Sequence, residues 1–192
     1  MKNKNFSQIA KEISELVEEA CKSKNNHFGY GAWAYHTLSV VKYAKLLAKK
    51  LKADLEVVEM AALLHDYASV LDKDLYPDHH LHGARLAEEI LQKYSFPPQK
   101  IKAIKDCILN HRTSKKAKLP TIEAKIIASA DAMAHFDNLS SLFYLAFVQD
   151  KMDIEKGTSF VVNKLQRSWE KLLPEAKELL KEHSKAIKIL FK

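Results

Sequence analysis

The sequence predicts an all-α protein, and three observations lead there. Only four glycines and five prolines occur in 192 residues, too few for the many tight turns of a sandwich or barrel. Apolar residues recur three and four apart along most of the chain, the spacing of one helix face. No segment alternates apolar and polar residues for long enough to make a strand. The length suits one substantial core. We expect a single compact helical domain over residues 1–150, with a C-terminal helical extension, 151–192, packed on it. Apolar residues make up 47% and charged residues 29%, a globular composition that argues against global disorder.

The elements follow in order. Residues 6–22 set Phe6, Ile9, Ile13, Leu16, Val17 and Ala20 at helical spacing, an amphipathic helix. Residues 23–31 break the pattern with Asn25, Asn26 and two glycines. Residues 33–51 form a second, longer helix whose apolar stripe holds Trp33, Val40, Tyr43, Ala44 and Leu47. Asp54 is placed to cap a third, running through Ala61, Ala62, Leu63 and Leu64 to His65. Residues 66–78 read as irregular and end in Tyr76-Pro77-Asp78. A fourth helix covers 79–94. Pro97 and Pro98 open a fifth, which ends near His111. Residues 112–119 read as a basic loop with Lys115, Lys116 and Lys118. Pro120 opens a sixth helix reaching about Phe136. Further helical segments fill the remainder, with Gly157 and Pro174 as breaks. The lysine- and glutamate-rich tail is assigned no chemistry.

Charge and composition narrow the function. The net charge is +7, and of 31 basic side chains only Arg85, Arg112 and Arg167 are arginine. Lysine spread over many helices is mostly solvated surface, whereas nucleic-acid binding shows as a clustered, arginine-rich face with interleaved aromatics. A nucleic-acid partner is therefore not expected, and attraction of a small anionic substrate fits the charge. No apolar run approaches the roughly 20 residues that span a bilayer. The most apolar stretch, 139–148, is short and carries serines, and the first residues lack an apolar segment of signal-peptide type. We expect a cytoplasmic protein with no membrane partner. Cys21 and Cys107 fall inside helical patterns and read as buried free thiols.

Polar residues occur where helices should be apolar. His36 falls on the stripe of the second helix, three after Trp33 and four before Val40. A buried imidazole needs a partner, and both a core hydrogen bond and a metal satisfy that need. The third helix ends in AALLHD. The pair His65-Asp66 is a mixed nitrogen and oxygen donor set suited to Mn, Fe, Ni or Zn, or else a C-terminal histidine and a loop-capping aspartate. In the sixth helix Asp131 shares a face with Ile127, Ala130 and Ala134. A carboxylate there is costly to bury unless a lysine or a metal pairs with it. Three such positions on three helices point to a shared inner site. His27 in its Gly/Asn loop and His183 in the tail read as solvated, and His135 reads as structural.

The order His36, His65-Asp66 after an apolar helix, and Asp131 in SADA resembles the HD-domain superfamily. These all-helical proteins are mostly metal-dependent phosphohydrolases. The resemblance covers about 33–137. It implies that His36, His65, Asp66 and Asp131 bind one divalent metal, with His65 and Asp66 central to catalysis. Some members hold a second metal with two added histidines. His79 matches the H-x-x-x-G-A helix start of those members, with His80 and His82 as competitors, and His111 resembles the other. With two metals Asp66 would be the bridge. Many members follow HD with a glycine or alanine and a lysine. Here Tyr67-Ala68-Ser69 follows, leaving Lys73, Arg112, Lys115 or Lys116 to contact phosphate. The resemblance thus implies one or two divalent ions (Mn, Mg, Fe, Ni, Co or Zn) and hydrolysis of a nucleotide or other small phosphate ester by metal-activated water. The protein is then a phosphomonoesterase or phosphodiesterase, possible as a homo-oligomer. Two other classes compete: an HD-like di-iron oxygenase, and a module that binds a metal or nucleotide without turnover.

Overall fold

A computed structural model describes residues 4–112 and 119–191. Lys115 and Lys116 therefore lie outside the described residues. Among those described there is no strand, so the all-α expectation holds. The first helix, α1 (Phe6–Cys21), starts from a capping box in which Asn5 and Gln8 satisfy each other's backbone N–H groups. A π-helical segment, Ala32–Thr37, leads into α2 (Leu38–Leu51). The Asp54 carboxylate accepts from the N–H groups of Glu56 and Val57 and caps α3 (Leu55–Leu64).

The stretch expected to be irregular holds a short helix, α4 (Tyr67–Leu71), and a 3₁₀ turn over Lys73–Leu75. The correction has a packing cause: Tyr67, Ala68, Ser69 and Val70 are all buried. Tucked into the core, their backbone groups need internal partners, and a turn of helix supplies them.

Next come α5 (His79–Lys93), α6 (Pro98–Asn110) and α7 (Ile122–Asp137). Pro98 sits in the first turn of α6, where its missing N–H costs nothing. Thr121, one residue beyond Pro120, is the side-chain cap of α7. The chain continues through α8 (Leu139–Tyr144), a second π-helical segment (Leu145–Gln149), α9 (Ile154–Lys171), α10 (Pro174–Leu179) and α11 (Lys181–Leu190).

Gly157 is not a break. It lies in the first turns of α9, buried against Phe147, where a Cβ would overlap the phenyl ring. Pro174 does act as expected and opens α10.

The core is organised around α7, in which every residue from Ile126 to Phe136 is buried. Its alanines at 124, 128, 130, 132 and 134 present little bulk, so α2, α3, α6 and α9 all pack on it. Helices α5 and α6 pair beside α3 and α4. The ends of these helices meet around Asp66. No helix among the described residues is long and apolar enough to cross a membrane.

Candidate metal centre

Six side chains converge from five places in the chain. His36 comes from the π-helical segment, where the widened turn carries it inward between buried Trp33 and Thr37. Such insertions recur at functional sites, and periodicity of 3.6 does not reveal one. His65 and Asp66 follow the C-terminus of α3, His79 begins α5, His111 ends α6, and Asp131 lies on α7.

The donor atoms form two triads, His36–His65–Asp131 and Asp66–His79–His111, each with its ligand atoms within 4.8 Å of one another. Asp66 stands between them. Its Oδ2 lies 3.4 Å from His36 Nε2 and 3.3 Å from His65 Nε2. Its Oδ1 lies 3.2 Å from His79 Nε2 and 3.5 Å from His111 Nε2. His36 Nε2 is also 3.4 Å from Asp131 Oδ1. Of the three clustered histidines in 79–82, only His79 belongs to a triad.

The imidazoles are oriented by a repeated local device. His65 Nδ1 donates to the Ala62 carbonyl at 2.8 Å, His79 Nδ1 to the Tyr76 carbonyl at 2.8 Å, and His111 Nδ1 to the Ile108 carbonyl at 2.6 Å. In each case the acceptor lies three residues back. A carbonyl only accepts, so these Nδ1 atoms carry protons and each ring turns its Nε2 inward, the atom that offers a lone pair when the ring is neutral. Yet His79 and His111 bring their Nε2 atoms within 3.1 Å, and His36 and His65 theirs within 3.3 Å. Two ring nitrogens at that distance need a positive centre between them, a proton or a metal ion. Donors bound to one ion at about 2.0–2.2 Å are themselves about 3.0–3.5 Å apart. The residues therefore fit a divalent cation in each triad, and four nitrogens with two carboxylates suit Mn, Fe, Co, Ni or Zn.

The electrostatics agree. Burial pushes the Asp66 carboxyl up, but the surrounding imidazoles more than offset this and hold it well below the usual carboxylate range. Asp131 is likewise buried, and His135, His36, Lys164 and Lys171 keep it low and ionised. Burial lowers His65, and Asp66 with Asp131 outweighs that, raising it to about 9. Burial pulls the His111 imidazole down. Both carboxylates thus stand charged in the interior, which is stable only with cationic partners.

Of the residues expected to contact phosphate, Arg112 lies at the rim. It donates to the Pro77 carbonyl at 2.8 Å, with its guanidinium carbon 5.9 Å from the Tyr76 ring centre. That ring stacks on His79 with the planes 4° apart. Lys73 is exposed on the 3₁₀ turn. His135 is buried, with Nδ1 3.0 Å from Ser168 Oγ and its ring stacked on His36. Burial and Lys164 hold it well below the usual histidine range. His183 is exposed, whereas His27 is only partly so and pairs with Asp150 at 2.9 Å.

The tail, assigned no chemistry, touches the edge of the centre. Lys171, at the end of α9, donates to the His111 carbonyl at 3.4 Å, and burial lowers its pKa. Lys164 and Arg167 share its face. The only signal in the sequence was their spacing, three and four apart beside buried Leu165 and Ser168.

Comparison with known proteins gives concordant results. A model described as the HD domain matches residues 33–135, more than half of the chain. Ribonuclease Y of Rubrobacter xylanophilus is 29% identical over 99 residues, covering 52% of this chain and 17% of the relative. An uncharacterized protein of Clostridium beijerinckii is 32% identical over 82 residues, covering 42% and 52%. The chain thus spans about half or less of the length of these curated relatives. A predicted HD superfamily hydrolase from an uncultured Thermotogales bacterium superimposes with a TM-score of 0.58 at 24% identity, covering 90% of this chain and 91% of that one. A Listeria innocua protein does so with a TM-score of 0.71 at 19% identity, covering 98% and 94%. At these identities the two structures share the fold. With the family match spanning residues 33–135, which contain all six donors, the chain belongs to the HD-domain family.

Proposed function

We propose that this protein is a metal-dependent phosphohydrolase acting on a nucleotide or another small phosphate ester in the cytoplasm. The observation that carries the reading is the Asp66 carboxylate, whose two oxygens face two different pairs of histidines. In this reading His36, His65 and Asp131 hold one divalent ion, His79 and His111 hold a second, and Asp66 joins them. Divalent cations held there supply Lewis acidity to a phosphoryl oxygen and to the attacking water.

The chain's own residues do the rest. The carbonyls of Ala62, Tyr76 and Ile108 orient His65, His79 and His111 with Nε2 facing inward before any ligand arrives. Arg112 at the rim meets the charge of the phosphoryl group, with Lys115 and Lys116 proposed to assist it. Residues 1–150 supply every proposed metal ligand, and 151–192 pack behind them through α9.

Elemental analysis, combined with a panel of phosphate mono- and diesters assayed with Mn, Mg, Ni, Co, Fe and Zn, tests the reading. The relative named ribonuclease Y is reason to include short RNA in the panel. Asp66→Ala and His65→Ala are expected to abolish both metal retention and turnover, and full activity in either refutes the site. His111→Ala is expected to lower metal content from two ions to one. The nitrogen-rich donor set also suits a di-iron pair, so iron-dependent oxygen consumption without phosphate release would establish an oxygenase instead.

A further inference from the structure

Of the four histidines in the two triads, three are anchored by a carbonyl three residues back. His36 is not. In its π-helical turn the Trp33 carbonyl accepts from the Leu38 N–H, and among the described residues no partner lies within hydrogen-bond distance of His36 Nδ1. A second ring takes the place of that anchor: His135 stacks on His36 with centroids 5.4 Å apart and planes 23° apart. Asp131 meets the same residue. Among the described residues, the only basic nitrogens within 4.0 Å of its carboxylate are His36 Nε2 at 3.4 Å and His135 Nε2 at 3.9 Å, with Lys164 and Lys171 adding charge from farther away. One side chain outside both triads thus meets two members of the His36–His65–Asp131 triad.

His135 is itself held from α9. It is buried on α7, and Ser168 Oγ lies 3.0 Å from its Nδ1. A hydroxyl can donate or accept. If Nδ1 alone kept a proton, the Nε2 lone pair would face the Asp131 carboxylate, two negative ends across 3.9 Å. When the Ser168 hydroxyl donates to Nδ1, the ring proton sits on Nε2 and turns its positive end to Asp131. The ionised carboxylate favours this second arrangement. The span is too long for a direct hydrogen bond, but buried groups this close interact strongly through the low-dielectric interior. Partners of this kind orient metal ligands and tune affinity for the ion.

We propose that His135, with its tautomer set by Ser168, is a positioning residue for the His36–His65–Asp131 triad. It holds the His36 ring and the Asp131 carboxylate in the arrangement an ion needs, and so ties this triad's affinity to the docking of α9 on α7. The inference rests on the metal-centre reading. Ser168 lies beyond the family-matched segment.

Titration of the full-length protein with Mn, followed by the EPR signal of the free ion, tests it in two backgrounds. His111→Ala leaves the His36–His65–Asp131 triad intact, and His36→Ala leaves the Asp66–His79–His111 triad intact. In the first, His135→Phe should weaken binding of the retained ion about tenfold to a hundredfold, because a phenyl ring preserves the stack but carries no N–H. Ser168→Ala should weaken it by less, about threefold to tenfold. His135→Gln, whose amide keeps a donor near the Nε2 position, should recover part of the loss. In the second background all three substitutions should leave Mn affinity unchanged. Unchanged affinity for His135→Phe and Ser168→Ala in the first background overturns the proposal. So does an equal loss in both backgrounds, since that marks a general loosening of the fold. Should the phenyl ring not fit, Ser168→Ala decides by the same comparison. A wild-type protein that takes up no divalent ion refutes the metal centre, and the positioning role with it.

Discussion

Replacing Gly157 by alanine sets two known effects against each other. Within a helix, alanine is favoured over glycine by about 0.8–1.0 kcal/mol. At this position the added methyl would overlap the Phe147 ring at three of its carbons. That ring is not free to swing away, because Phe143 stacks on it with centroids 5.7 Å apart and planes 12° apart. Overpacking of this kind costs about 1–3 kcal/mol. The balance is a net loss of about 1 kcal/mol, which for a chain of this size lowers Tm by about 2–4 °C. Removing the obstacle should reverse the sign: in a Phe147→Ala background, Gly157→Ala should stabilise by up to about 1 kcal/mol. The coupling between the two sites is therefore about 2 kcal/mol, measurable by urea denaturation of the four proteins in a double-mutant cycle. If Gly157→Ala raises stability equally in both backgrounds, the close approach of α9 to the π-helical segment is wrong.

Other outcomes follow from contacts elsewhere in the fold. Asp137 accepts from Ser39 and Lys42, both at 3.1 Å. Burial pushes its carboxyl up, but the Lys42, Tyr43 and Ser39 contacts outweigh this and hold it below the usual value. A depressed carboxylate stabilises the fold above its unfolded pKa of about 3.9 and loses that contribution as pH falls through the folded value. Asp137→Asn should therefore cost about 1–2 kcal/mol at pH 6 and close to nothing at pH 2.5 by urea denaturation; an equal cost at both would refute the pairing. Lys52 and Ser95 hold φ of 56° and 54°, so Lys52→Gly and Ser95→Gly should each raise stability by about 0.5–1 kcal/mol, read as an upward Tm shift. Ser168→Ala strands the buried His135 Nδ1 and should cost about 1–3 kcal/mol, whereas Ser168→Thr should recover part of it.

Much of the helical framework was legible because helix faces announce themselves. The stripe of Trp33, Val40, Tyr43, Ala44 and Leu47 is buried as its spacing implies. Asp54 and Pro98 mark the starts of their helices as their chemistry requires. What escaped was set by contact between distant segments. The turn of helix at Tyr67–Leu71 is too short to show a period and exists because the core covers it. The π-helical turn around His36 leaves no mark on an apolar pattern that resumes in register from Val40 onward.

The candidate site divides in the same way. His36, His65, Asp66 and Asp131 stand out as polar residues in apolar surroundings. The choice among His79, His80 and His82 depends on the Tyr76 carbonyl, an acceptor no side-chain pattern contains. Lys171 looks like any surface lysine until α9 docks on α7. The last helices thus add charge to a centre whose donors all lie upstream of them.

The two triads are also nested along the polypeptide. One draws on positions 66, 79 and 111, and the other on 36, 65 and 131, enclosing it. A ribosome emitting the chain from its amino end therefore finishes the inner set while the outer set still lacks its last carboxylate. Any ion captured early would be held by the inner trio alone, and occupancy of the outer trio would signal that the central helix had found its place.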